Sequence, residues 1–162
     1  MTIEDILISR DEIEKIHRGE ISLTLWRGLH VDETKENPFY PDFDYEEKIL
    51  PSGEIRDPDV NTEIVNGVRY VKAELGMGTS TVDKEGIFGF KNWEYFVIPA
   101  GTSIPTELII TKDFYMKRKA CWHYSISPNE YMKVVDYKKA LDQLAFNAGL
   151  VIKDKKNGWN WF

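Results

Sequence analysis

The sequence predicts an α+β fold, a mainly antiparallel sheet with a short helix near the start of the chain and a longer one near its end, in a single domain spanning residues 1–162. Three observations carry this. Short alternating or continuous apolar runs at 21–28, 68–72, 93–98, 107–111 and 120–127 are separated by turn residues, as strands are. Helix-start signals occur before and after that strand region. A chain of 162 residues, 42% hydrophobic and 13% aromatic, buries roughly 70% of its unfolded surface as one unit.

Taken in order, Ser9, Arg10, Asp11 and Glu12 form a capping box, with Ile13 and Ile16 on one helical face and Gly19 placed to end the helix. Residues 21–28 then alternate with period two, so Ile21, Leu23, Leu25 and Arg27 share a face. An arginine at the end of an apolar face needs an anion: one of the chain's own acids, or a phosphate or nucleotide. Residues 32–66 hold Pro38, Pro41, Pro51 and Pro58 among Phe39, Tyr40, Phe43 and Tyr45, which reads as a long loop with a helical turn at 46–50, suited to a lid or a docking surface. Residues 68–72 form a short strand leading to Gly76, Met77, Gly78, Thr79, Ser80, Thr81, Val82 and Asp83. Two glycines and three consecutive hydroxyls fit either a strand-to-helix turn capped by Ser80 or Thr81, or a backbone that approaches a ligand closely.

Residues 93–98 read as a buried strand stopped by Pro99 and a turn, and 107–111 as the next strand. In the run 120–127, Ala120, Trp122, Tyr124 and Ile126 take one face, and Cys121, His123, Ser125 and Ser127 the other. His123 therefore points to solvent or to a cleft. Ser127, Pro128, Asn129 and Glu130 combine a capping box with proline at the first helical position. They open a helix whose inner stripe is Tyr131, Val134, Val135, Leu141, Leu144, Ala145 and Ala148, closed by Gly149. The tail ends in Trp159, Trp161 and Phe162, aromatics expected to dock on the domain or a partner.

The net charge of −6 argues against tracking a nucleic-acid backbone. Charge is uneven: residues 32–63 carry eleven acids against three bases, a balance of −8, whereas 112–139 come to +4. A basic segment beside a polar cleft suits a phosphate-bearing small molecule, and equally a solvated helix face. The single cysteine, Cys121, excludes an intramolecular disulfide, and no Cys/His cluster has metal-ligand spacing, so no metal site is expected. The acidic N-terminus lacks a secretory-signal pattern and no apolar run approaches the ~20 residues of a membrane span, so cytoplasmic action is expected.

Five blocks, in this order, carry a family resemblance: Ser22 through Arg27, Gly78 through Asp83, Phe96 through Pro105, then Asp113, Tyr115, Lys117 and Arg118, and finally His123 through Pro128. On these the chain resembles the small toxins exported by type VI secretion that have an ADP-ribosyltransferase-like fold and are neutralised by a dedicated immunity protein. The resemblance implies a split sheet with an NAD-sized cleft and NAD as substrate. It implies Arg27 and Tyr115 as nucleotide contacts, Thr79 and Ser80 as the hydroxyls that position the nicotinamide ribose, and His123 as the functional strand histidine. The wider fold breaks the nicotinamide glycosidic bond through an oxocarbenium-like state helped by a glutamate, for which Glu107 and Glu130 are candidates.

The expected function is thus a cytoplasm-acting toxin, an NAD-dependent ADP-ribosyltransferase or NAD-consuming enzyme that arrests growth of a target cell into which secretion delivers it. Its expected partners are an immunity protein and a macromolecular acceptor. Two other classes stay open: a nucleic-acid-cleaving toxin using His123 as acid/base, which would need a second base or a basic groove, and a non-enzymatic binding protein, which would leave the polar residues dispersed. Convergence of Arg27, Thr79, Ser80 and His123 on one cleft separates these readings.

Overall fold

The computed structural model describes residues 15–46, 49, 53–74 and 76–159, with side chains to residue 155. In chain order these form β1 (Lys15–His17), β2 (Leu25–His30), β3 (Thr62–Val65), β4 (Val68–Val71), β5 (Thr79–Val82), β6 (Trp93–Ile98), β7 (Leu108–Met116), β8 (Cys121–Pro128), β9 (Met132–Lys133) and α1 (Val134–Trp159). Six strands make one sheet in the order β1-β7-β8-β5-β2-β6, and β3, β4 and β9 make a second. All these pairings are antiparallel, which gives the expected α+β class.

The large sheet is two ladders joined at a point. β5 follows β8 from Thr79↔Ile126 to Val82↔His123, and β2 follows β6 from Leu25↔Ile98 to His30↔Trp93. Between these ladders β2 meets β5 only at Trp26↔Val82. Beyond that pair the sheet is split. Strand alternation turns Leu25, Ile98, Ile110, Tyr124 and Ile126 toward one core cluster, which α1 covers with Val134, Tyr137, Leu141 and Leu144. Those four helix positions and Ala148, also buried, recur at intervals of three and four, one stripe of a 3.6-residue period.

Several expectations are corrected by the packing. Ile16 lies in β1, opposite Thr111 of β7, rather than on a helix, and the capping box at 9–12 falls outside the described residues. Gly19, with φ 75°, turns the chain out of β1. The C-terminal helix opens at Val134 and not after Pro128, because β8 runs through Pro128 opposite Leu108 and Met132–Lys133 pair with β4. Tyr131 and Val135 are left outside the stripe, Tyr131 stacking on Tyr70 at 5.0 Å. Gly149 does not close the helix, which continues to Trp159. Trp161 and Phe162 lie outside the described residues. β6 is an edge strand and half-buried, whereas its apolar run predicts full burial.

Within the segment 32–66, the described residues of 32–61 hold no helix or named strand, as a long loop should, but the segment is packed and its end is regular. Its end folds as β3, joined to β4 through Asn66 and Gly67 at φ 50° and 76°, an Asn-Gly hairpin turn. Phe39 and Phe43 enter the core. Asn37 Nδ2 donates to the Leu141 carbonyl at 3.2 Å and to Asp142 at 3.0 Å, tying this strap to α1. Two of its acids are engaged as well: Asp42 pairs with Lys35 at 2.9 Å, and Asp44 accepts from Thr62. Of the helical turn expected at 46–50, residues 47, 48 and 50 lie outside the described residues. Among the described residues no helix is long and apolar enough to cross a membrane.

Candidate active site

The glycine-hydroxyl stretch folds as strand β5, not as a capped turn, and Gly78 is the reason. A Cβ there would stand 2.3 Å from the Ile126 carbonyl oxygen, so only glycine lets β5 enter its ladder with β8. Alternation then divides the hydroxyls. Thr79 and Thr81 are buried on the helix side, where Thr79 Oγ1 donates to the Phe39 carbonyl at 2.7 Å and Thr81 Oγ1 to the Tyr124 carbonyl at 3.2 Å. Ser80 takes the other face with Val82, and the register Ser80↔Ser125, Val82↔His123 brings β8's histidine beside it.

A bulge supplies the third member. β7 pairs with β8 as Lys112↔Tyr124 and then Phe114↔His123, so Asp113 is the extra residue of the ladder. An unpaired bulge residue is free to re-aim its side chain. The Asp113 carboxylate lies 2.9 Å from His123 Nδ1, and His123 Nε2 lies 3.1 Å from Ser80 Oγ. Phe114 stacks on the imidazole at 4.6 Å with only 5° between planes. Ser80 Oγ also lies 3.5 Å from Asp59 Oδ1.

These groups open on a cavity of about 270 Å³ at the split, lined by Trp26, Gly28, Ser80, Phe88, Tyr95 and His123 among others. Gly28 keeps its floor open, since a Cβ there would touch Phe88 and Tyr95 at 3.2 Å. Phe88 in turn stacks on Trp93 at 4.3 Å, so one wall is a continuous aromatic surface. Arg56, paired with Asp42 at 3.7 Å, adds a positive charge to the lining and Glu33 a negative one.

Of the residues singled out from the sequence, Ser80 and His123 meet. Thr79 lies directly beside Ser80 but faces the core. Arg27 contributes to the lining, yet the residue is only 4% exposed and its guanidinium donates to the carbonyls of Pro38, Ser80 and Tyr40 at 3.1–3.3 Å. Burial lowers its pKa, opposed by the nearby carboxylates of Asp59 and Asp42; an arginine keeps its charge throughout. Tyr115 is half exposed, edge-on to Trp122 at 5.5 Å, and outside the lining. Glu107 and Glu130 line a different cavity, beside α1. The carboxylates that lie against His123 and Ser80 are Asp113 and Asp59, and the glutamate in the cavity lining is Glu33. Trp26, Gly28, Phe88 and Tyr95 escaped the sequence reading, although a glycine inside a strand pattern, as at Gly28, is a signal of close approach.

A family model described as Tse2 ADP-ribosyltransferase toxin matches residues 9–150. Toxin Tse2 of Pseudomonas aeruginosa is 36% identical to this chain over 98 residues, which cover 60% of the chain and 59% of that toxin.

Proposed function

Because the chain belongs to the Tse2 ADP-ribosyltransferase toxin family, we propose that it transfers ADP-ribose from NAD to a macromolecular acceptor and arrests the growth of the cell in which it acts. NAD supplies a glycosidic bond whose cleavage yields nicotinamide and an ADP-ribosyl group. The residues present suit it: flat aromatic faces on Trp26, Phe88 and Tyr95 for a planar ring, hydroxyl and imidazole groups for a ribose, and Arg56 for a phosphate. At about 270 Å³ the cavity is near the lower end of small-molecule sites, a match to the nicotinamide-ribose end rather than to the whole dinucleotide. The aromatic walls exclude water. Ser80 and His123 hydrogen-bond the ribose and hold the proton that moves between them, while Thr79 anchors β5 under Ser80. The observation that carries this reading is the 3.1 Å contact between Ser80 Oγ and His123 Nε2 at the split.

The binding-protein alternative requires dispersed polar groups; against it stand Ser80 and His123, which meet with Asp113 behind the imidazole, although Thr79 faces the core and the Arg27 guanidinium is taken up by backbone carbonyls. The nuclease alternative requires a second base or a basic groove, and what lies against His123 is Asp113, with a net charge of −6 overall. An immunity protein covering the cavity mouth is the partner that the proposal implies, with delivery into the target cell by type VI secretion. The test is nicotinamide release from NAD by the purified chain with a bacterial lysate as acceptor, beside growth on expression. Ser80→Ala and His123→Ala are expected to abolish both. Ser80→Ala should cost under ~1 kcal/mol of stability, and His123→Ala about 1–3 because Asp113 loses a donor. Two folded variants that still release nicotinamide and still arrest growth would overturn the assignment.

A further inference from the structure

His123 works only if the right nitrogen carries the hydrogen. A neutral imidazole donates from one nitrogen and accepts at the other, and the partner of the first decides which is which. The Asp113 carboxylate is surrounded by donors. Its Oδ1 accepts from Thr111 Oγ1 at 2.6 Å, and its Oδ2 accepts from Ser125 Oγ at 2.6 Å while lying 2.9 Å from His123 Nδ1. A carboxylate with two hydroxyl donors already in place is held as an acceptor, and its side chain is only 7% exposed. Nδ1 must therefore bear the hydrogen. Nε2 is left with a lone pair, 3.1 Å from Ser80 Oγ. A flip about Cβ–Cγ would put a ring carbon in place of each nitrogen and break both hydrogen bonds, and Phe114 packs flat against the imidazole in its present orientation.

We propose that Asp113 is the positioning residue of this site: presented by the β7 bulge, it fixes His123 in the Nδ1–H tautomer and so makes Nε2 the acceptor of the Ser80 hydroxyl proton. The link to catalysis rests on the assignment of Ser80 and His123 above; the tautomer does not. The bulge explains why an aspartate, whose side chain is short, serves here: Asp113 approaches from the adjacent strand, beside both His123 and Ser125, where a regular ladder would place another side chain.

Long-range proton–nitrogen spectra of the full chain with labelled histidine read the tautomer without NAD. The expected result is Nδ1–H in the wild type, Nδ1–H still in Ser80→Ala, and loss of that preference in Asp113→Asn, whose amide can donate to Nδ1. A wild type in the Nε2–H form overturns the proposal, as does a tautomer that changes in Ser80→Ala; both readings hold even if Asp113→Asn does not fold. With NAD, Asp113→Asn is expected to lower kcat at least about 100-fold, as when the corresponding aspartate of a Ser-His-Asp triad is replaced, with KM changed less than about threefold. An unchanged kcat in a folded Asp113→Asn would overturn the positioning role. A wild type that releases no nicotinamide would instead refute the transferase reading, while the tautomer still decides on Asp113.

Discussion

Arg27 closes the split from within. Its guanidinium bonds the Ser80 carbonyl of β5 on one side and the Pro38 and Tyr40 carbonyls of the strap on the other, so one side chain joins β2, β5 and the strap that α1 holds. Removing it leaves three carbonyls without that donor. Arg27→Met is therefore expected to lower unfolding stability by about 3 kcal/mol, measured by urea denaturation, because each deprived acceptor costs roughly 1–3 kcal/mol less what water restores. A variant of unchanged stability whose KM for NAD rises would make Arg27 a nucleotide contact instead. Parity along 21–28 was enough to place Arg27 on the face of Leu25, and parity along 120–127 to turn His123 away from Tyr124. Parity could not reveal Asp113, because a bulge breaks the alternation on which such arguments rest. Nor could it show that Thr79 and Ser80, adjacent in a strand, must face opposite ways until the stretch was known to be a strand.

At the scale of elements, the strands were legible where apolar residues alternate or cluster, as in β2, β4, β6 and β8. Boundaries were lost where tertiary pairing outweighs local signals: the capping box after Ser127 is overridden by the β7–β8 ladder, which runs to Pro128. The two glycines ahead of β5 have different roles and give a paired test. Gly78→Ala forces a Cβ to within 2.3 Å of a backbone oxygen, so β5 must move away from β8 and carry Ser80 away from His123. Gly76, at φ 64° with nothing near its would-be Cβ, is needed only for its backbone angle, and Gly76→Ala should cost about 1 kcal/mol. Thermal unfolding and nicotinamide release together should show Gly78→Ala less stable than Gly76→Ala by at least about 2 kcal/mol and nearly inactive. Equal behaviour of the two variants would mean that β5 does not depend on this close approach.

For the molecule as a whole, the class of fold followed from strand signals grouped within the chain, whereas the split did not, since it depends on where two strands stop pairing. Several tyrosines spread over the fold also share one electrostatic trait: the phenols of Tyr40, Tyr124, Tyr131 and Tyr137 are held neutral. Burial and the Asp142 hydrogen bond push Tyr40 up to about 12, burial beside Asp83 does the same to Tyr124, and the hydrogen bond to Glu63 leads for Tyr131. Tyr137, fully buried with its hydroxyl on the Ile126 carbonyl at 2.6 Å, is raised by burial as well. In the unfolded chain these phenols ionise near 10. A group whose folded pKa lies above its unfolded value binds the proton more tightly in the folded state, so its stabilisation is complete below about pH 10 and is lost as pH rises through about 12. The urea midpoint is accordingly expected to decline from about pH 10 upward, together with the rise of phenolate absorbance. Tyr124→Phe, which cannot ionise, should remove part of that decline. A midpoint that stays level to about pH 12 would mean that the tyrosines ionise as freely in the fold as out of it, and that the polar contacts of Tyr40 and Tyr137 with α1 and β8 do not hold in solution.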